Sequence, residues 1–246
     1  MPPASSPENR TIQSVWTRPR GGRERPVLSR EQIVAEALRL LDSEGIDALS
    51  MRKLGNRLSA GATSLYRHVA NKDELIELAV DEIYGEIGLS DAPAAPERWR
   101  ADAAHCAHSL RTTMLRHPWI ASVRGEMGMA HLGPNWMRLS EAMLGVFTTA
   151  GFPRDEADRA VATLIAYVTG TATSEAAWLT ALARSGRSEQ EWVDELWPAA
   201  EQAAQAYPRL REGYAEQRGK DPRKSREEGF QYGLDRVLDG LETRLK

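Results

Sequence analysis

From residue 28 onward the apolar positions recur at steps of three and four, the period of an α-helix, and no stretch alternates as a strand would. The first such segment is LSREQIVAEALRLLDSEG, where Ile33, Ala37, Leu40 and Leu41 share one face. Ser29 followed by Gln32 is a capping box, and Leu28 with Ile33 has the spacing of a hydrophobic staple. Gly45 ends that helix by taking a left-handed conformation. A second helix starts at Ser50 with Met51, Leu54 and Leu58 inward, and the turn Ser59-Ala60-Gly61 follows. A short third helix spans 62–69, and Asn71 with Glu74 caps a fourth that runs to about Ile87. After the linker LSDAPAAP the pattern stays helical. Trp99, Ala103, Cys106, Leu110 and Met114 form one stripe; Trp136, Leu139, Met143 and Phe147 form another. A long helix near 154–184 carries Val161, Leu164, Val168, Thr171, Glu175, Trp178 and Leu182, and the last carries Phe230, Leu234, Leu238, Leu241 and Leu245. The expected fold class is all-α. It comprises an N-terminal three-helix helix-turn-helix domain with a linking fourth helix, 29–88, and a helical C-terminal domain, 97–246.

The segment ATSLYRHV decides what the first domain meets. On a wheel of about 100° per residue, Ala62, Leu65 and Val69 fall together and face the core. Thr63, Ser64, Arg67 and His68 fall opposite, with Tyr66 at the boundary. A narrow helix with one polar stripe suits the DNA major groove, where hydroxyl, guanidinium and imidazole groups reach base edges and phosphates. The plainer reading is a solvated helix face, but such faces favour Glu and Lys, and this one carries no acid.

Charge supports the same direction. The net charge is −3, yet residues 1–72 hold twelve Arg and Lys against seven Asp and Glu, while the rest of the chain is acidic. A basic end on an acidic body points to a polyanion contacted at that end. Residues 1–28 are rich in Pro, Ser, Arg and Gly and show no periodicity, so they read as a flexible arm. Within it Arg18, Arg20, Arg23 and Arg25 bracket Gly21 and Gly22, a string suited to a DNA minor groove or simply to keeping a tail solvated. One cysteine excludes an intrachain disulfide and suits a reducing compartment. No run approaches the ~20 apolar residues of a membrane span, and MPPASSPENR has no secretory apolar core. A cytoplasmic location is expected.

Catalytic chemistry is absent from the pattern, with no glycine-rich phosphate loop, nucleophile elbow or His-Glu-x-x-His. His105 and His108 stand three apart on one helix, but the wheel turns His108 to solvent beside Arg111. Neither a metal nor a cofactor is therefore expected. Six of the seven tryptophans and five of the seven methionines lie beyond residue 98. Each alone reads as core; as a group they suit a cavity for a large, flat, mostly apolar molecule. The candidates are Met114, Trp119, Met127, Trp136, Met143 and Trp178, with His105, Ser109 and Thr171 as orienting polar groups. The charged stretch 209–229 reads as a mobile connection near the mouth of that cavity.

The span 29–87, with LSMRKLGNRL and then SLYRHVANKDELI, resembles the DNA-binding domain of the TetR family of bacterial regulators. Further on, RHPWIASVRGEMGMAHLGPN, AGF and GFQYGLDRVLDGLETRL resemble the ligand-binding and dimerisation domain of its tetracycline-repressor-like branch. The resemblance implies a ligand-responsive repressor, a homodimer through helices near 154–184 and 230–246, double-stranded operator DNA and a small-molecule inducer. It also implies drug or natural-product efflux as the controlled process. Residue by residue it places Arg52 at a position that reaches the DNA, Thr63, Arg67 and His68 at groove-facing positions, Ser64 and Tyr66 on phosphates, and Lys72 as a backbone clamp. The fourth helix would carry the ligand signal to the reading helix. Gly55 and Ser59 depart from the family's usual Ala and Gly, and Ala62 offers only a methyl where a base-reading side chain could stand. The alternative from another class is a helical small-molecule carrier or enzyme that keeps a DNA-binding-like head.

If the arm contacts DNA, deleting residues 1–25 weakens binding and flattens its salt dependence. Each phosphate that the arm neutralises steepens the log–log slope by about 0.9. An unchanged slope in salt-titrated gel shifts shows that the arm is only a tail.

Overall fold

The computed structural model describes residues 28–90, 95–123 and 132–245; within them the chain forms eleven α-helices and no strand. The arginines of the arm and Met127 lie outside the described residues. In order the helices are α1 (Arg30–Glu44), α2 (Met51–Arg57), α3 (Ala62–Leu65), α4 (Lys72–Gly85), α5 (Trp99–Arg116) and α6 (Ile120–Val123), then α7 (Pro134–Thr149), α8 (Arg154–Ser185), α9 (Glu189–Ala204), α10 (Pro208–Gln217) and α11 (Pro222–Glu242). Among the described residues no helix is long and apolar enough to cross a membrane. The chain divides into two compact units. One holds the residues up to Gly85 together with Ser122–Arg138, and the other holds Glu86–Ala121 together with Leu139 onward.

In the first unit, Ile33, Ala37, Leu40 and Leu41 of α1, Leu54 of α2, and Leu75, Leu78 and Ala79 of α4 are buried in one core. The Ser29 hydroxyl accepts from Gln32 N and the Gln32 side chain accepts from Ser29 N, closing the capping box that starts α1. Gly45, at φ 81°, ends the helix. Three ion pairs join α2 to α1 among the described residues: Arg57 to Glu36 at 2.5 Å and to Glu44 at 3.5 Å, and Lys53 to Glu44. The turn after α2 is a Schellman motif. Ala60 N donates to Gly55 O at 2.9 Å and Ser59 N to Asn56 O at 3.2 Å, with Ser59 left-handed at φ 51°.

In the second unit α8 lies along α5 and α11. The pairs Glu156–Arg244, Tyr167–Phe230 and Glu175–Arg226 run in opposite order along α8 and α11, so these two are antiparallel. Their stripes meet inside the unit: Val161, Leu164 and Val168 on one side, Phe230, Leu234 and Leu238 on the other, all buried. Gly233 is required where they touch, because a Cβ there would stand 2.3 Å from the Tyr167 hydroxyl oxygen. Trp99, Phe147 and Phe152 close the core, with ring centroids 5.3–5.9 Å apart. The stretch 209–229, expected as a mobile connection, is instead helical over most of its length in α10 and the start of α11. Asp221 caps α11 by accepting from Lys224 N, and Pro222 sits in the first turn where a missing N–H costs nothing.

Ser59→Gly should stabilise the first unit by about 1 kcal/mol, since a left-handed L-residue costs roughly 1–2 kcal/mol and glycine's greater unfolded-state freedom offsets part of the gain. A raised urea midpoint with unchanged slope is the expected result; a lowered one contradicts the left-handed assignment.

Candidate functional site

The turn after α2 presents α3, whose regular part is only four residues long. The expected helix over 62–69 continues past Leu65 as tightened turns: His68 N donates to Leu65 O at 2.9 Å and Val69 N to the same carbonyl at 3.1 Å. Leu65 and Val69 are fully buried and pin the segment to the core. Thr63 and Arg67 are exposed, Tyr66 is 52 % exposed, and Ser64 and His68 are half-buried. On α2 Lys53 and Arg57 are engaged by acids of α1, whereas Arg52 is exposed and forms no ion pair among the described residues. Asn71 Oδ1 accepts from Glu74 N at 2.8 Å and caps α4. Lys72 Nζ donates to Ile46 O at 3.2 Å, so in the free protein the ammonium is tied to the chain that precedes α2.

A second anchor in this unit was not foreseen. Asp81 of α4, 2 % exposed, accepts from the backbone N–H of Asn135 and Trp136 at 3.1 and 3.0 Å and from the Asn135 side chain at 3.1 Å. A buried carboxylate thereby satisfies the first turn of α7 from outside the helix. The Tyr84 and Trp136 rings lie 4.9 Å apart beside it. Gly133 allows the approach, since a Cβ there would stand 2.0 Å from Asp81 Oδ1. No motif announces this cap, because donor and acceptor are more than fifty positions apart.

In the second unit the expected ligand residues do not gather into one chamber. Met114, Trp119 and Met143 are buried core. Ser109 Oγ accepts from Gly88 N at 2.7 Å, and exposed His105 stands against the same glycine. Thr171 gives its hydroxyl to the carbonyls of its own helix, while Trp136 belongs to the contact with Tyr84. Thr171 and Trp178 together border an open pocket against Phe230, and Trp178 also lines a second chamber. That chamber, of about 590 Å³, has Trp178 on one side, the α9 face Glu189, Val193, Asp194 and Trp197 on another, and Lys220 and Arg226 near α11. Of these, the sequence pattern singled out Trp178 and counted Trp197 among the clustered tryptophans, but not Glu189, Asp194 or Arg226; the signal for the two acids was their place beside Trp197 on α9.

Behind the chamber lies a charged cluster. Arg111, assigned from the wheel to the solvent side, is 5 % exposed. Its guanidinium donates twice to Glu175, at 2.8 Å each, and to Glu227 at 2.6 Å, and lies 4.6 Å from the Phe230 ring centre. Burial opposes the charge on Arg111, but the bonds to Glu175 and Glu227 outweigh it and hold the group protonated. Arg226 joins Glu175 at 3.2 Å and also pairs with Glu189.

Two family models match this chain: "Bacterial regulatory proteins, tetR family" over residues 33–79 and "Tetracyclin repressor-like, C-terminal domain" over residues 92–245. The chain belongs to the TetR family. Among its relatives, an "HTH-type transcriptional regulator" of Saccharopolyspora erythraea is 40 % identical over 166 residues, covering 67 % of this chain and 69 % of the relative. The "HTH-type transcriptional repressor DrrR1" of Streptomyces coeruleorubidus is 31 % identical over 241 residues, covering 95 % and 85 %. The solved structure of the TetR family protein ActR of Streptomyces coelicolor in complex with actinorhodin superposes with a TM-score of 0.70 at 29 % identity, covering 88 % of this chain and 97 % of that one.

As in its TetR relatives, the fold is all-α with an N-terminal helix-turn-helix and a helical C-terminal part. On α8 the side turned away from the core carries Ala162, Ala166, Gly170, Ser174, Ala177 and Ala181, all exposed; on α11 Gly229 and Gly240 are exposed.

The charged cluster sets a pH dependence. Glu227 is held below its ordinary value of 4.5, first by the hydrogen bond from Arg111. Its folded pKa lies below the unfolded one, so the stabilisation is complete above the unfolded value and fades as pH falls through the folded one. Glu227→Gln should therefore be less stable than wild type near neutral pH, with the gap narrowing as pH falls below the ordinary value of 4.5 and closing in stronger acid. Urea unfolding at both conditions checks this; a gap that persists in acid contradicts the pair.

Proposed function

We propose that this TetR-family chain is a repressor that binds operator DNA as a homodimer and is released by a small aromatic molecule. The observation that carries the reading is the acid-free polar face of 62–69, with Thr63 and Arg67 exposed on a segment pinned by buried Leu65 and Val69. Arg67 and Thr63 are assigned to base edges, Ser64, Tyr66 and His68 to phosphates and the groove wall, and Arg52 to the backbone from α2. Lys72 would leave the Ile46 carbonyl, or share its protons between it and a phosphate at the capped start of α4.

The dimer is assigned to the small-residue faces of α8 and α11, since their larger apolar residues are already buried within one protomer. Small side chains let two antiparallel pairs approach closely as a four-helix bundle. Two heads on one operator face must stand about one DNA turn apart, roughly 34–36 Å. A ligand that favours another spacing shifts the population away from DNA. ActR is described in complex with actinorhodin, and several relatives are named tetracycline repressors. Both are consistent with an aromatic natural product as inducer and with control of its export.

The test is a gel shift with the DNA upstream of the chain's own gene. Specific retardation is expected, and Arg67→Ala should weaken it by about 1–3 kcal/mol while leaving the melting temperature unchanged. No retardation of any neighbouring promoter overturns the repressor reading and favours a helical carrier.

A further inference from the structure

The chamber bounded by Trp178 and Trp197 has features that neither the reading head nor the α8–α11 face requires. Its volume, about 590 Å³, lies in the range of small-molecule pockets. Two tryptophans wall it, and α9 contributes Glu189 and Asp194, five positions apart, to its lining. Pro198 sits inside α9 and also lines the chamber, so it has no N–H to give the Asp194 carbonyl one turn back. That end of the chamber therefore concentrates acceptors: two carboxylates, one carbonyl and the electron-rich ring faces.

The cations nearby are already engaged or solvated. Arg226 is shared between Glu175 and Glu189, and Glu175 is also held bidentately by Arg111. Arg218 lies 3.5 Å from Glu201, and Lys220 is exposed. Arg223 acts on Glu227 as well, so the inner cluster of Arg111, Arg226 and Arg223 against Glu175, Glu227 and Glu189 is balanced. Asp194, which accepts from Gln190 at 2.9 Å, pairs with no cation among the described residues, and the charge on Lys220 at the rim is screened by water and salt. A cation placed over a tryptophan face and beside a carboxylate gains from both.

We infer that this chamber binds a planar aromatic cation, its ring beside Trp178 and Trp197 and its protonated amine directed to Glu189 and Asp194. That its occupation triggers release from DNA rests on the repressor reading above; binding itself does not.

The experiment uses the full chain without DNA and three probes that share one ring system: 2-(aminomethyl)anthraquinone, anthraquinone-2-carboxamide and anthraquinone-2-carboxylate. They are titrated by tryptophan fluorescence and calorimetry. The ammonium form should bind about tenfold more tightly than the amide, with the carboxylate weakest. Asp194→Asn and Glu189→Gln should each remove most of that preference while leaving amide binding unchanged. Trp197→Ala should weaken all three probes. Should Glu189→Gln lose its helical signal, Asp194→Asn decides, because that position is exposed. A carboxylate that binds as well as the ammonium probe, a preference that survives both carboxylate variants, or no binding of any probe overturns the site. In a parallel gel shift, release by the ammonium probe that Trp197→Ala abolishes makes the chamber the trigger. Binding without release denies it that role while the site stands. A chain that never retards DNA fails the repressor reading and leaves the fluorescence result intact.

Discussion

Burying a guanidinium costs several kcal/mol unless its donors are met, and Arg111 meets that condition with partners from two distant parts of the chain. Glu175 is 64 positions away and Glu227 is 116. Satisfying one side chain of α5 therefore fixes the register of α8 and α11 against it at the same time. Apolar packing alone would tolerate small slides of these helices, because leucine and valine stripes match at several offsets. The fork of donors does not, since a shift of one turn would strand a charge in the core. Through Glu175 the constraint reaches Arg226, and through Arg226 it reaches Glu189 at the start of α9. The position of the α9 wall, and with it the shape of the chamber, depends on that chain of charges.

The head is organised by a different constraint. Its reading segment has little regular helix of its own and depends on two buried anchors, Leu65 and Val69, and on the turn that delivers it. That turn places a serine where the backbone prefers glycine. Ser59 raises the free energy of the folded head locally without touching the exposed polar face, so head stability and DNA contact are separable properties.

Local rules carried most of the fold. Ser29 and Gln32, Asn71 and Glu74, and the stripes of α5, α7, α8 and α11 were all readable, because each depends on residues within one or two turns. The misreadings involve partners far along the chain. Arg111 falls on the polar side of a helical wheel, which cannot know that Glu175 and Glu227 will be brought to it. The segment 209–229 looks like a loop by composition, yet Pro222 and the Asp221 cap start a helix there. Met114, Trp119 and Met143, which carry the right chemistry for a pocket, are buried in the second unit. The acceptors at the chamber sit on α9, where a proline within a helix was the sequence feature to follow.

Asp81 has a practical bearing on how the protein can be dissected. Its carboxylate is 2 % exposed and meets donors from residues 135 and 136. A fragment cut after residue 88 would keep the whole reading segment and still strip this carboxylate of those partners. It would also uncover the ring of Tyr84 that packs on Trp136. The minimal autonomous head is therefore discontinuous in sequence. An excised version has to graft the Gly133–Trp136 corner back on by a short linker, or replace Asp81 with a residue content in water.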